Sequence, residues 1–168
     1  PFGMVQLSPD NGLPGWDRIS GYFYPDTTIA GFSHTHLSGT GAGDLYDISF
    51  MPVTRPYKEA PAPLGVYSTF SHNDEAASAG YYRVLLKDYN INVELTATER
   101  CGVQRYTFPK AEASVFLNLK KAMNWDFTLD SRIEVVDSMT IRGYRFSQGW
   151  SPLQHVYFET RFSKPFVA

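Results

Sequence analysis

The sequence predicts an all-β protein that folds as an antiparallel β-sandwich. From about residue 66 onward, apolar and polar residues alternate with a period of two, which is the pattern of half-buried strands. Turn-forming residues separate these segments, and no long stretch shows the spacing of an amphipathic helix. Aromatic residues make up 15% of the chain, a richness that suits strands. Short strands joined by tight turns are typical of a sandwich or a barrel.

The alternating segments identify individual strands. Residues 91–98, 113–119 and 156–162 place apolar side chains at every second position, so one face of each strand is expected to be buried. Between the strands, Asp, Asn, Pro or Ser predict turns at residues 88–90, 109–111 and 137–138. A chain of 168 residues is long enough for one domain, and we expect residues 1–168 to form a single β-sandwich domain.

Residues 1–60 are less regular. Turn formers cluster at residues 8–12, whereas residues 4–7 and 48–51 predict short strands. Residues 52–64 are rich in proline and predict a loop. An irregular segment of this length inside a compact domain is usually functional.

Charge and composition narrow the classes of partner. The net charge is −2 and no basic block occurs, so a nucleic-acid partner is not expected. Apolar runs are only a few residues long, so no segment is expected to span a membrane. The single cysteine, Cys101, has no second cysteine to pair with inside the chain. The chain opens on Pro1, which we interpret as the start of a mature or truncated product.

Residues 31–41, rich in glycine, hydroxyl side chains and histidine, are the most distinctive part of the chain. They hold His34 and His36, and on an extended strand such an i,i+2 pair points to one face. With Ser38 and its neighbouring hydroxyls, this stretch is expected to line a wet polar cavity rather than to form core. The pair is consistent with a solvated or hydrogen-bonded edge, or with a zinc or iron site. A cupin-type metal site is disfavoured, because no glutamate follows until Glu59.

Trp16 and several carboxylates complete the candidate residues. Trp16 follows a Pro-Gly turn, and a loop tryptophan can stack on the apolar face of a sugar; the alternative is a ring folded back onto the core. Asp10 is interpreted as a turn or cap residue. Asp44 and Asp47 are expected to hold the glycine turn through bonds to the backbone, and Glu94 is expected to be solvated.

Several blocks of the sequence resemble one known enzyme family. Residues 31–41 closely resemble a signature of glycoside hydrolase family 92, the calcium-dependent exo-acting α-mannosidases of bacteria. Residues 1–10, 71–75 and 95–100 are similar to further blocks of the same family. The resemblance runs from the first residue to Phe166.

The resemblance implies the N-terminal β-sandwich of a longer, inverting enzyme that trims mannose from glycans, with a preference for α-1,2 linkages. In the family a helical (α/α)6 domain, absent from this chain, follows and holds the catalytic acid, the base and the calcium ligands. No catalytic residue and no metal ligand is therefore expected in residues 1–168. The sandwich would contact that helical domain and the α-mannoside glycan, with Trp16, His34, His36 and Ser38 lining the substrate. The family also implies a periplasmic or extracellular location.

Two other functions stay open at this point. A free-standing carbohydrate-binding module would bind sugar without catalysis, and it should lack the large exposed apolar patch that an isolated interface domain shows. A metal-dependent, cupin-like enzyme would bring His34, His36 and His72 together around zinc or iron.

Overall fold

The protein is described here by a computed structural model that covers residues 3–11, 15–37, 43–54, 66–122 and 126–168. These residues form strands and single turns of 3-10 helix, and none of their helices is long and apolar enough to cross a membrane. The strands are β1 (Ser8–Asn11), β2 (Thr28–Ser33), β3 (Ser49–Val53), β4 (Ser68–Thr69), β5 (Glu75–Ser78), β6 (Tyr81–Leu86), β7 (Ile91–Ala97), β8 (Gly102–Thr107), β9 (Ser114–Asn118), β10 (Phe127–Val135), β11 (Thr140–Gln148) and β12 (Gln154–Arg161). The 3-10 turns are Trp16–Arg18 and His72–Asp74.

The strands pair antiparallel and form three sheets. The five-stranded sheet has the order β1-β2-β3-β9, and β4 also pairs with β2. The four-stranded sheet is a meander, β5-β6-β7-β8, and the three-stranded sheet is a second meander, β10-β11-β12. This arrangement confirms the predicted all-β, antiparallel sandwich.

The five-stranded sheet contributes to two apolar clusters. One joins β2 and β3 to β6 and β7 of the four-stranded sheet, and its buried members from these strands are Ile29, Phe32, Met51, Val53, Val84, Leu86, Ile91, Val93 and Leu95. A smaller cluster joins β3 and β9 to β12 through Phe50, Leu117 and Phe158. Because β3 is buried along its whole length, it behaves as a strand that is covered on both faces. Fully burying a side chain of this size contributes about 1.5–3 kcal/mol.

The period-two segments are confirmed as strands. β7, β9 and β12 coincide with them, and β7 alternates between buried and half-buried residues until its exposed end. Residues 88–90 form a turn, and residues 137–138 connect β10 to β11.

Two predictions in the N-terminal third are wrong. Residues 8–11, expected to turn, form β1, whereas residues 4–7 form no strand. Proline is tolerated in β1 because this strand lies at the edge of its sheet. Pro52, expected in a loop, lies in β3. The pairing of β3 with β2 is confined to Phe32 and Phe50, so Pro52 removes no ladder hydrogen bond to β2. Residues 55–65, the rest of that predicted loop, lie outside the described residues.

Candidate functional site

A buried carboxylate on β1 organises the histidine stretch. Asp10 has no exposed surface, and its Oδ1 lies 2.6 Å from His36 Nε2. Its Oδ2 accepts hydrogen bonds from Ser33 Oγ at 2.5 Å and Ser49 Oγ at 2.9 Å, and Lys121 Nζ lies 3.1 Å away. Burial by itself raises the pKa of Asp10, but Lys121, His36 and Ser33 outweigh it and hold that pKa well below its usual range. Asp10 is therefore an internal anion, and its interpretation as a simple turn or cap residue is wrong.

The two histidines of residues 31–41 hold the backbone in place. His36 Nδ1 lies 2.7 Å from the Gln6 carbonyl oxygen, and its Nε2 lies 2.6 Å from the Asp10 carboxylate. His34 Nδ1 donates to the Ile48 carbonyl oxygen at 2.9 Å, and burial lowers the pKa of His34. The ring of His36 is buried, as are Phe32 and Ser33, so the expectation that this stretch lines a wet cavity is wrong for these residues.

The segment that follows the glycine turn has an unusual backbone. Leu45, Tyr46 and Ile48 have φ angles of 81°, 58° and 56°, in the left-handed region that residues with side chains rarely adopt. Ile48 is β-branched, which makes its conformation especially costly. Such backbone persists only where surrounding contacts fix it, and it concentrates at functional sites. Residues 43–48 are therefore a constrained element of the fold.

A fully buried arginine on β11 supplies many of those contacts. Arg145 Nη1 donates to Asp47 Oδ1 at 2.6 Å and to the Leu45 carbonyl oxygen at 3.0 Å. Its Nε donates to the Leu119 carbonyl oxygen and its Nη2 to the Lys121 carbonyl oxygen, at 3.0 and 2.9 Å. Neither Arg145 nor Asp47 has an exposed side chain, so each neutralises a charge that would otherwise be stranded in the interior.

The two aspartates of this segment bond to backbone and buried partners, and whether they also hold the glycine turn stays a prediction. Asp44 accepts hydrogen bonds from the backbone N–H groups of Trp150 and Ser151, at 2.9 and 3.1 Å, and so fastens the turn between β11 and β12. Asp47 pairs with Arg145. The glycine turn itself, with Ser38, lies in residues 38–42, outside the described residues.

An aromatic loop between β1 and β2 carries Trp16. The indole is 57% exposed, so it is presented to solvent as predicted and is not folded back onto the core. The loop is fastened by Arg18, whose Nε and Nη2 both donate to Asp26 at 2.5 Å, and by the Tyr46 hydroxyl, which lies 2.7 Å from the carbonyl oxygens of Arg18 and Ile19. These contacts fix the backbone on which Trp16 stands.

The third histidine, His72, belongs to a different cluster. Its Nδ1 donates to Glu75 Oε1 at 2.5 Å, and the hydroxyls of Tyr22 and Tyr82 donate to the same carboxylate at 2.7 and 2.6 Å. Burial raises the pKa of Glu75, but these three donors outweigh burial and lower it. The exposed ring of Tyr24 stacks on His72, with centroids 4.0 Å apart and planes within 9°. A polar cluster therefore supports a second exposed aromatic ring of the same loop.

No three-histidine metal site forms. Among the residues that the structure describes, no group of three His, Cys, Asp or Glu side chains comes close enough to hold a metal ion. His34 and His36 are bonded to Ile48 and Asp10, and His72 to Glu75. Glu94, expected to be solvated, pairs instead with Arg105 and accepts from Tyr81 on the exposed face of the four-stranded sheet.

Arg145, Lys121 and Tyr24 were not predicted from the sequence. A usable signal existed for Arg145, because in β11 it alternates in step with the buried Ile141 and therefore takes an inward position. Lys121 follows β9 in an irregular stretch and gave no such signal.

Comparisons with known proteins agree on one family. Residues 1–168 match the family model of the glycosyl hydrolase family 92 N-terminal domain. The family GH92 α-mannosidase BT3965 from Bacteroides thetaiotaomicron is 40% identical, with a TM-score of 0.91 over 98% of this chain and 23% of that one. The GH92 family glycosyl hydrolase ccman5 is 27% identical, with a TM-score of 0.79 over 97% of this chain and 23% of that one. A comparison with curated proteins found no match.

A more distant structure shows the same fold. The family GH92 inverting mannosidase BT2199 from Bacteroides thetaiotaomicron VPI-5482 is 20% identical, with a TM-score of 0.66 over 98% of this chain and 26% of that one. The chain thus spans about a quarter of the length of the structures that it matches.

Proposed function

Since the chain belongs to glycosyl hydrolase family 92, as one of its N-terminal domains, we propose that it forms the N-terminal β-sandwich of an exo-acting α-mannosidase. The observation that carries this proposal is the match to an α-mannosidase at 40% identity over 98% of the chain. We propose further that the enzyme inverts the anomeric configuration, prefers α-1,2 linkages and acts in the periplasm or outside the cell. A structural relative whose own name describes it as an inverting mannosidase supports the stereochemical part.

The described residues fit a supporting role better than a catalytic one. An inverting glycosidase needs two carboxyl groups, about 6.5–9.5 Å apart, on either side of the scissile bond. Two of the buried carboxylates among the described residues, Asp10 and Asp47, are closed off from solvent and paired with Lys121 and Arg145. We therefore place the acid and the base in the remainder of the enzyme, beyond this chain.

The buried carboxylates Asp10 and Asp47 are also poor candidates for calcium ligands. Ca²⁺ takes about six to eight oxygen ligands, several of them carboxylates that are free to bind it. Asp10 and Asp47 are already neutralised by cations, and among the described residues no three His, Cys, Asp or Glu side chains lie close enough together to hold a metal ion. We propose that the calcium ligands of the enzyme lie outside this chain.

We assign the direct sugar contact to Trp16. The exposed indole can stack on a pyranose ring and donate its Nε1–H, and the fastened loop holds it at one position. His34 and His36 were predicted to line the substrate, but both rings already hold backbone or carboxylate partners. We propose that they act by positioning this region rather than by touching the sugar. Ser38 stays a predicted substrate contact.

The alternative of a free-standing carbohydrate-binding module is disfavoured by the edge strand β10. Along and just after this strand, large apolar side chains are 45–53% exposed, namely Phe127, Leu129, Ile133, Val135 and Val136. An exposed apolar row of this kind is expected of a domain that packs against further protein. We propose that the helical domain of the enzyme, or further strands of the sandwich, cover it.

Hydrolysis of mannobiose by the whole protein that carries this chain tests the proposal. We expect release of the β-anomer of mannose from α-1,2-mannobiose, followed by proton NMR, and a lower rate on the other linkages. Trp16→Ala is expected to lower kcat/KM on the disaccharide about tenfold, because roughly one good stacking contact is lost. The same variant should have a smaller effect on kcat/KM for an aryl mannoside.

Trp150→Ala is the matched control, because Trp150 is also a highly exposed tryptophan but lies on the turn between β11 and β12. Failure of the whole protein to cleave any α-mannobiose would refute the proposed activity. Equal losses in the Trp16 and Trp150 variants would remove Trp16 from the site.

A further inference from the structure

The three-stranded sheet has an outer face on which charged and aromatic side chains lie in rows. Residues paired across antiparallel strands share a face, so the register of β10, β11 and β12 defines these rows. They are Glu134–Arg142–Glu159, then Arg132–Tyr144–Tyr157, then Asp130–Phe146–His155. We call these nine residues the outer face. The opposite face of the same sheet carries the buried Arg145, so the outer face is turned away from the interior.

Tyr157 presents an open ring at the centre of the outer face. Its side chain is 69% exposed. Its contacts to Phe146 and Tyr144, with centroids 5.6 and 6.2 Å apart, are edge-to-face and tilted, so neither ring covers a face of Tyr157. On the neighbouring strand, Tyr144 and Phe146 stack on each other with centroids 4.4 Å apart, and the Tyr144 hydroxyl donates a hydrogen bond to Asp130 at 2.9 Å. These contacts hold the rings next to Tyr157 in place.

Charged groups surround this ring in equal numbers. An open hollow of about 390 Å³ lies beside Tyr157, and its charged lining residues are Arg132, Arg142, Glu134 and Glu159. Arg142 is bound to Glu134 through two hydrogen bonds of 3.0 and 3.2 Å. Arg132 and Glu159 then remain as one donor group and one acceptor group of opposite charge. Since these two charges balance, the hollow favours an uncharged ligand that both donates and accepts hydrogen bonds.

We propose that the outer face binds a neutral oligosaccharide, with one pyranose ring on Tyr157 and its hydroxyls bonded to Arg132 and Glu159. A pyranose has an apolar face for stacking and a rim of hydroxyls, which matches an aromatic ring flanked by a guanidinium and a carboxylate. A protein partner is the less favoured occupant, because the exposed aliphatic residues that suit protein packing lie along β10 and not in these rows. This site is on strands other than the loop that carries Trp16, and it does not depend on the proposed hydrolytic activity.

Affinity electrophoresis of the whole protein in native gels tests this inference, with soluble α-mannan and, separately, a soluble β-glucan as the probes. We expect the parent protein to be retarded by at least one of them. Tyr157→Ala should raise the dissociation constant about tenfold, and Arg132→Gln should raise it severalfold. The matched control is Tyr81→Ala, because Tyr81 also lies on an exposed sheet face next to a Glu–Arg pair, on β6. This control should be retarded like the parent, and all variants should melt within a few degrees of it.

Two results would overturn the inference. The first is a parent protein that neither polysaccharide retards. The second is equal retardation of the Tyr157 and Tyr81 variants, which would move any sugar binding to another site. If the parent is not retarded and Tyr157→Ala also removes much of its thermal stability, other protein covers this face. Mannobiose hydrolysis is measured separately, so failure of the hydrolytic proposal and failure of this one are distinguishable.

Discussion

Replacing Arg145 by methionine tests whether the buried charges hold this domain together. Arg145→Met keeps much of the side-chain length but removes every guanidinium hydrogen bond, including the one to Asp47. Asp47 would then carry a buried charge without its cation, and the carbonyl oxygens of Leu45, Leu119 and Lys121 would lose their donor. Removing one partner of a buried ion pair costs about 3–5 kcal/mol.

Arg142→Met is the matched control on the same strand. Arg142 also makes a two-fold contact with a carboxylate, Glu134, but both side chains are about half exposed to water. Exposed pairs of this kind contribute little, because water solvates the separated charges well. Thermal unfolding followed by near-ultraviolet circular dichroism should therefore show a melting temperature roughly 10 °C lower for Arg145→Met and almost unchanged for Arg142→Met.

Equal melting temperatures for Arg145→Met and Arg142→Met would refute this prediction. That result would mean that the interior relaxes around Asp47 or lets water reach it. Arg145→Lys should fall between the parent and Arg145→Met, since lysine keeps the charge but offers three donors on a flexible stem in place of a planar fork. Combining Arg145→Met with Asp47→Asn should recover part of the loss, because the stranded charge is then removed.

Two further predictions concern the histidine stretch. Because the pKa of Asp10 in the folded protein lies below its ordinary value of 3.8, its carboxylate stabilises the fold above that pH and loses this effect as the pH falls below it. Chemical unfolding should show Asp10→Asn to be less stable than the parent near neutral pH, with the gap closing below about pH 4; a gap that is constant with pH would contradict this. Gly31→Ala should cost about 1–3 kcal/mol, because Gly31 has a φ of 144° and an added Cβ would collide with Ser49 Oγ. An unchanged melting temperature would show that β2 and β3 can move apart there.

The sequence was sufficient for the strands whose burial repeats locally. In β7 the alternation of Ile91, Val93 and Leu95 with polar residues follows from one buried face, and such a pattern is visible in a short window. β1 was missed because Pro9 and Asp10 are turn formers, and their local preference was outweighed by pairing with β2 and by burial of the carboxylate.

The buried ion pair of Asp47 and Arg145 could not be predicted from a local sequence pattern. Asp47 and Arg145 are 98 residues apart, and nothing in either neighbourhood names the partner. This buried ion pair forms only once β11 of the three-stranded sheet has packed against the segment that leads into β3, so its existence is a property of the packing. The histidine stretch is distinctive in the sequence, but its polar composition predicts exposure, whereas Ser33 and His36 are buried. Polar groups can equally be buried when every one finds a partner, as Ser33 and His36 do.

The buried charges and the unusual backbone act on the same exposed loop. Three residues of 43–48 hold left-handed backbone, and each such residue costs about 1–3 kcal/mol unless surrounding contacts compensate. The contacts are Arg145 on Leu45 and Asp47, and His34 on Ile48. The hydroxyl of Tyr46, which lies between these contacts, bonds the backbone of the loop at Arg18 and Ile19, two and three residues after Trp16. His34 and residues 43–48 therefore hold the backbone near an exposed tryptophan. If Trp16 contacts the sugar as proposed, loss of Arg145 should lower the affinity of the whole protein for disaccharides even at temperatures where the variant stays folded.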